Sequence, residues 1–457
     1  MRYQTLIPGA RRGYNLALSF ATCVALLLAL TVRADAVAPV VNGAGTTWLA
    51  KFQSTYVWQK KPAFDAAYTG PNSLSPAAEK SYSFSATGFL GWRPRNGTEL
   101  YWNPEVVQGV ALSGLVGLAG VTNGEIQKVA GTRPHAYRAR LFLRQTFGFG
   151  GGQQSVDEGA NQFAGEVDRR RLVLTLGNFA LTDLFDNNAF AHDPRTQFLN
   201  WTLMDYGAWD FAADARGYTR GAAIEVYDDD WAARLAHVLL PAQSNGLDLN
   251  PHLFRSYGDN LELEHAHRIG GQSGKLRVLA YRNVATMATY SDAITWGLAN
   301  DRPPDLSQVR KPQAKIGYGI SLEQNLTDTI GIFGRYSGDD GEGEEYAWTE
   351  VDRSASAGIS VKGERWGRTE DTFGLAGVKN DLSSAHRAYL AAGGLGFFLG
   401  DGQLPHYRSE NSVETYYSMK VSKLLWTTFD YQRIANPAYN ADRGPVSVWG
   451  IRLHAEL

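Results

Sequence analysis

Arg138, Arg140 and Arg144 recur at even spacing, and Arg171 follows in a segment of similar character. In an extended chain successive side chains point to opposite faces. The three arginines therefore share a face opposite Tyr137, Ala139, Leu141 and Leu143. With Arg171 from a neighbouring segment they predict a cationic wall, facing Glu262, Glu264 and Arg268 across an enclosed space. Unpaired positive charge lining a water-filled passage favours anions or polar neutral solutes. The alternative is that these arginines only give such a wall its polar cover.

A second concentration of polar groups lies between residues 178 and 220. Asp183, Asp186, Asn188, Asp193, Arg195, Asn200, Trp209, Asp210 and Arg216 fall within it. Connections longer than about 12–15 residues are usually functional. Folded into an opening, this one would narrow it and offer paired donors and acceptors beside aromatic faces. Sugars need that combination, because their hydroxyls take bidentate hydrogen bonds and their C–H faces stack on aromatic rings. A plainer reading stands beside it. Asx side chains bond their own backbone, so Asp183, Asp186 and Asn188 also suit turns. Asp193-Pro194 suits turn initiation, and Arg195 and Arg216 suit ion pairs with those aspartates.

Enzymatic chemistry finds less support. Asp183, Asp186 and Asp193 are acidic, but nothing sets the separation that glycoside hydrolysis requires of two carboxylates. No Gly-x-Ser-x-Gly elbow, HExxH helix or phosphate loop occurs, and Gly317 and Gly319 lie in a strand-like segment rather than a dinucleotide fingerprint. His265 and His267 share a face, but it is the apolar one, with no further ligand cluster nearby. The expectation is a protein that is not an enzyme and has neither metal nor cofactor.

These residues need elements to position them, and the N-terminus says where those elements operate. Arg2, Arg11 and Arg12 precede a nearly unbroken apolar run, Leu16–Val32, and Ala34-Asp35-Ala36 follows it. Charge, a short apolar core and small residues describe a cleaved secretory signal over residues 1–36, leaving 37–457 as one barrel domain. The sole cysteine, Cys23, lies inside that run, so the mature part holds no disulfide. Losing four arginines and one aspartate moves the net charge from −2 to −5, which argues against a nucleic-acid partner. A mean hydropathy of −0.28 excludes a helical membrane protein but not a membrane barrel, whose strands alternate apolar and polar residues.

Alternation is the recurring pattern. Asn260–Ile269 sets Leu261, Leu263 and Ile269 against Glu262, Glu264 and Arg268. Trp449, Ile451, Leu453, Ala455 and Leu457 oppose Arg452, His454 and Glu456. The pattern predicts strands at 47–58, 80–92, 96–102, 137–147, 168–178, 218–227, 230–239, 259–269, 274–285, 313–325, 328–337, 348–361, 371–380, 412–422, 424–434 and 446–457. An even count suits a transmembrane antiparallel β-barrel, and about 16 strands enclose an aqueous channel. Aromatic residues (Trp48, Tyr56, Trp58; Trp92, Tyr101, Trp102; Tyr416, Tyr417, Trp426) fall near strand ends, as interfacial girdles require. Long excursions at 61–79, 103–136, 179–217, 286–312 and 381–411 alternate with short turns. The fold class is thus all-β, with long extracellular loops folding into the pore.

Several stretches together resemble a known family. Trp102-Asn-Pro-Glu-Val-Val-Gln-Gly, Arg140-Leu-Phe-Leu-Arg-Gln-Thr-Phe-Gly148, Ala191-His-Asp-Pro-Arg-Thr-Gln-Phe-Leu-Asn-Trp201 and Asp210-Phe-Ala-Ala-Asp-Ala-Arg-Gly-Tyr218 are similar to the carbohydrate-selective porins of Gram-negative outer membranes. So are His386-Arg-Ala-Tyr-Leu and Asn436-Pro-Ala-Tyr-Asn, and the resemblance runs in order from about residue 45 to the end. It implies a sixteen-stranded barrel whose inward loops form an arginine-rich eyelet for glucose-like sugars, oligosaccharides or sugar acids. Passive diffusion into the periplasm follows from it. The expected partners are small carbohydrates, outer-membrane lipid and the barrel assembly machinery, with the chain a homotrimer or a monomer. An outer-membrane barrel enzyme acting on glycans and a structural or adhesive barrel are the competing functions.

Overall fold

The structure, a computed structural model, describes residues 41–42 and 46–457. The expected leader, residues 1–36, lies outside the described residues. Sixteen antiparallel strands form one closed barrel. In chain order they are β1 (Trp48–Lys61), β2 (Glu79–Arg95), β3 (Thr98–Val110), β4 (His135–Gly148), β5 (Arg171–Phe179), β6 (Thr219–Asp228), β7 (Trp231–Leu239) and β8 (Tyr257–Ile269). The second half comprises β9 (Gln272–Met287), β10 (Lys311–Thr327), β11 (Ile330–Asp339), β12 (Arg353–Lys362), β13 (Thr372–Asp381), β14 (Glu410–Lys420), β15 (Leu425–Ala435) and β16 (Val446–Glu456). Each pairs with its sequence neighbour, and β16 closes on β1 from Trp449↔Lys60 to Glu456↔Gln53. A separate three-stranded sheet joins Val41–Asn42, Gln153–Val156 and Gly165–Asp168.

The alternation read from the sequence has a physical basis here. Leu263, Leu276, Val278, Ile320, Leu322, Phe429, Ile451 and Leu453 all face outward and are exposed. A soluble protein rarely exposes a contiguous apolar surface of that extent, whereas a barrel in lipid requires it. Tyr101 and Tyr416, expected in the aromatic girdles, instead point inward and are buried. Each stands an odd step from an outward aromatic neighbour, Trp102 and Tyr417, so the parity of the pleat decides.

Two boundaries depart furthest from the sequence expectation, the others lying within three residues of it. Strand β3 runs on to Val110 rather than ending at Trp102, and β12 begins at Arg353 rather than 348. The first difference has a local cause. Pro104 lacks the N–H for a ladder bond and sits where the β3–β4 register shifts between Asn103 and Pro104. Proline within a sheet is confined to such irregular places. The shift leaves Ala139 as an extra residue, since Asn103 pairs with Arg140 and Pro104 with Arg138. A β-bulge of this kind exchanges the two faces of a strand. Tyr137 therefore turns inward and Arg138 outward, where it is exposed, so Arg138 leaves the predicted cationic wall. Asn178 on β5 covers the irregularity, its Nδ2 donating to the Ala139 carbonyl.

The lumen is not an open tube. Connections 111–134, 180–218, 340–352 and 382–409 turn into it and pack a large apolar cluster against the wall, with smaller ones beside it. Phe185, Trp201, Tyr206, Trp209, Phe211, Trp348, Phe398 and Leu399 belong to that cluster, with Leu279, Tyr281 and Val238 from the strands. Three short helices punctuate the inner loops: α1 (Trp201–Met204), α2 (Tyr290–Asn300) and α3 (Ser384–Ala391). Asn200 caps α1, its side chain accepting from the Thr202 N–H.

Candidate solute pathway

Inward side chains of β11 and β14 hold the plug in place: carboxylates on β14 accept its backbone N–H groups, and Arg335 on β11 donates to its carbonyls. Glu414 takes the N–H groups of Leu199 and Asn200 at 2.5 and 2.9 Å, and Glu410 takes those of Ala119 and Gly120. Arg335 pairs with Asp186 at 2.9 Å, both fully buried, and donates to the carbonyls of Ala191 and Leu203. Within the plug, Asp210 accepts from the backbone of Tyr346, Ala347 and Trp348, so one carboxylate ties loop 180–218 to loop 340–352. Charge-assisted bonds of this kind are roughly twice as strong as neutral ones.

That accounts for many of the residues singled out in loop 180–218, and it corrects their role. Asp186, Asn188, Asn200, Trp209 and Asp210 are buried plug residues rather than solute contacts. Asn188 donates to Ser321 Oγ at 3.3 Å, and Trp209 donates from Nε1 to Asn260 Oδ1 at 2.9 Å. Their polar atoms are used inside the plug. Glu262 and Glu264 do face inward, but Arg234 and Arg277 neutralise them. Arg268 lies exposed at a turn, donating to the Gly271 carbonyl, and does not face the lumen's cations.

The other side of the lumen is open. A cavity of about 330 Å³ is lined by Glu105, Glu125, Lys128, Arg140, Asp183, Asp193, Arg195, Trp201, Arg216, Tyr218 and Trp348, among others. A second cavity of about 210 Å³, nearer the short turns, is lined by Arg93, Glu99, Arg144, Arg171, Asp183, Tyr227 and Arg234, with others. Asp183 lines both, so the two meet there. Arg140 grips it in a two-pronged pair, Nε to Oδ2 at 2.7 Å and Nη2 to Oδ1 at 2.6 Å. Burial alone would raise the Asp183 carboxyl. The Arg140 guanidinium outweighs that and holds it below the usual carboxylate range.

Four of the arginines on this side rest on tyrosine rings. Arg140 lies 5.1 Å from the centre of Tyr218, Arg144 5.2 Å from Tyr101, Arg171 3.8 Å from Tyr227, and Arg216 4.6 Å from Tyr137. Such contacts contribute about 0.5–2 kcal/mol each and hold long side chains in fixed directions. Arg195 pairs with Glu125 at 3.0 Å and Glu105 at 3.3 Å. The arginines are thus not the unpaired cluster that alternation alone suggested. They form a row of fixed donors interleaved with carboxylates.

Loop 111–134 supplies the opposite lip. A Cβ at Gly124 would lie 2.4 Å from Pro194 Cβ, so only glycine lets this loop approach loop 180–218 so closely. Lys128 reaches in to the Asn245 Oδ1 atom and the carbonyls of Ala347 and Trp348. Burial pushes its pKa down to about 7, against the opposing pull of Asp210, Glu350, Asp214 and Glu345. Beside it the Trp201 and Trp348 rings stack at 4.3 Å and 5°. Trp348 Nε1 has no hydrogen-bond partner among the described residues.

Sequence reasoning missed Glu105, Lys128, Tyr218, Tyr227 and Trp348. Glu105 was hidden by ending β3 before Pro104. Tyr227 was legible from parity, since it shares the inward face of β6 with Glu225. Nothing local marked Lys128 or Trp348. Of the histidine pair, His265 stacks on Trp231 at 4.3 Å, and His267 is bonded to Gln324 at 3.0 Å.

A family model for the carbohydrate-selective porins, the OprB family, matches residues 89–457. The chain belongs to that family. Among solved structures, this porin is similar to a high-pH structure of Pseudomonas putida OprB at 15% identity, covering 90% of this chain and 94% of that one with a TM-score of 0.66. The Pseudomonas aeruginosa proteins OccK8 (OprE), at 9% identity and TM-score 0.45, and OccK2 (OpdF) in complex with glucuronate, at 8% and 0.43, each cover 90% of the porin and 98% of their own chains. No curated protein sequence matches the porin. The family and the fold are those of channels for small solutes.

Proposed function

We propose that the porin resides in the Gram-negative outer membrane and lets small, glucose-like sugars diffuse passively into the periplasm. Solute follows the β2–β7 wall through the two cavities, which meet at Arg140 and Asp183. The observation that carries this reading is the lining of the upper cavity. Fixed bidentate groups (Arg140, Asp183, Arg195 and Glu105) stand beside indole and phenol faces (Trp201, Trp348 and Tyr218). A hydroxyl-rich ring with apolar C–H faces satisfies both at once, and its hydroxyls exchange partners as it moves. Binding is therefore shallow, as passage requires.

Planar-bilayer recordings test the proposal. A conducting pore whose current falls with added glucose in a concentration-dependent way supports it. A barrel that inserts and conducts but ignores sugars overturns the carbohydrate part, and one that never conducts overturns the channel.

A further inference from the structure

The outer face of the barrel holds an arrangement that solute passage does not use. Lys60 on β1 and Lys80 on β2 are register partners, and both are exposed. They share the outward face with Trp58 and Tyr82. Their inward neighbours Lys61 and Glu79 pair with each other at 3.4 Å, so Glu79 does not serve the outer pair. Like charges set directly opposite on one sheet face destabilise each other, unless an anion bridges them.

Arg433 adds a third cation. It is exposed on β15, and its guanidinium donates to Ser447 Oγ on β16 at 2.8 Å. Ser447 stands two residues before Trp449, the partner of Lys60. Directly toward the short-turn end lies a groove of about 400 Å³ lined by Trp58, Thr415, Tyr417, Phe429, Tyr431 and Trp449, with others. Elsewhere on the same rim Arg138, Arg220 and Arg353 are also outward and exposed. The outward residues toward the short turns are apolar, as at Trp48, Trp92 and Leu453.

We infer that this patch binds a phosphorylated, acylated lipid of the outer leaflet. Phosphate accepts from Lys60, Lys80 and Arg433, and one acyl chain lies in the groove beneath, where Thr415 is short among aromatic neighbours. The inference rests on the outer-membrane placement proposed above. Charge selects the occupant. A second copy of this chain docking on the same patch would bring three cations against three, whereas an anionic headgroup relieves the Lys60–Lys80 repulsion.

The test uses the full barrel in detergent with diphosphorylated lipid A, or the same lipid after dephosphorylation, and reads bound lipid by native mass spectrometry. The intact headgroup should bind about tenfold more tightly than the dephosphorylated one. The K60Q/K80Q/R433Q variant should remove that preference, and Thr415→Phe should weaken binding of both lipids. With the unaltered protein, the preference should shrink as salt is raised from 0.05 to 0.5 M, by screening alone and at about these concentrations. Equal binding of the two lipids, an unchanged triple variant, or a change in oligomeric mass in place of lipid loss would each overturn the inference. Conductance and the heat-modifiable gel shift should stay unaltered in the variants, so failure here is distinct from failure of the channel.

Discussion

The two sides of the lumen spend similar residues in opposite ways. Along β8–β14 each inward charge is consumed, as in Asp186–Arg335, Arg277–Glu323 at 2.9 Å, and the two backbone N–H groups held by Glu414. Along β2–β7 the charges are also paired, but their pairs stand on cavity walls. Arg140–Asp183 and Arg195–Glu105 keep donors and acceptors turned to the opening. The difference teaches that charge inside a barrel does not by itself mark a solute path. On the proposed path the charge is held by a ring or by one or two partners and still lines a cavity.

Breaking the closed side should have the largest effect. Arg335→Ala strands the buried Asp186 carboxylate, and removing one partner of such a pair costs about 3–5 kcal/mol. The midpoint of the heat-modifiable gel shift should fall, with noisier and larger single-channel currents as the plug loosens. Burial already raises Asp186 to about 6, and Arg335 is the main opposing influence. Without it the carboxyl protonates more readily, so the variant's defect should be smaller at pH 5 than at pH 8. Next comes Glu414→Gln, which keeps shape but loses charge in the bonds to Leu199 and Asn200. A loss of about 1–2 kcal/mol is expected by the same assay.

On the open side the effects should be functional rather than structural. Arg140→Ala should weaken sugar block about tenfold, equivalent to about 1.4 kcal/mol, and shift ion selectivity toward cations because Asp183 is left unopposed. Unchanged block and selectivity would remove Arg140 from the pathway. Lys128 gives the pH dependence. With its pKa pushed down to about 7, it is charged below that value and neutral above. Anion preference should therefore decline as pH rises from 6 to 8, and Lys128→Gln should flatten that step. The smallest effect distinguishes two arginines two residues apart. Arg138→Ala should leave conductance unaltered and stability within about 0.5 kcal/mol, because the bulge at Ala139 turns Arg138 away from the lumen.

That last contrast shows where sequence reasoning stops. Sixteen strands were legible because a half-buried strand repeats every two residues, and the faces of β5, β8 and β16 follow from parity alone. A single extra residue in β4 reverses parity, and nothing in Tyr137–Arg140 announces it except Pro104 on the partner strand. The inner loops were legible as long and polar, but not in their contacts. Asp183 and Asp186 lie three residues apart in similar surroundings, yet one faces the cavities and the other is sealed beneath the plug. Their fates depend on Arg140 and Arg335, which arrive from distant strands.

The Trp201–Trp348 stack carries a consequence for the order of assembly. Its two indoles come from separate loops, and those loops are brought together only by the strands between them curling round. Closing so long a stretch of chain has to precede the contact that rewards it. The expected order is the wall first and the aperture last, with the stack following the pairing of β6 to β11. In that order the two tryptophans join loops 180–218 and 340–352 only once the strands between them stand side by side.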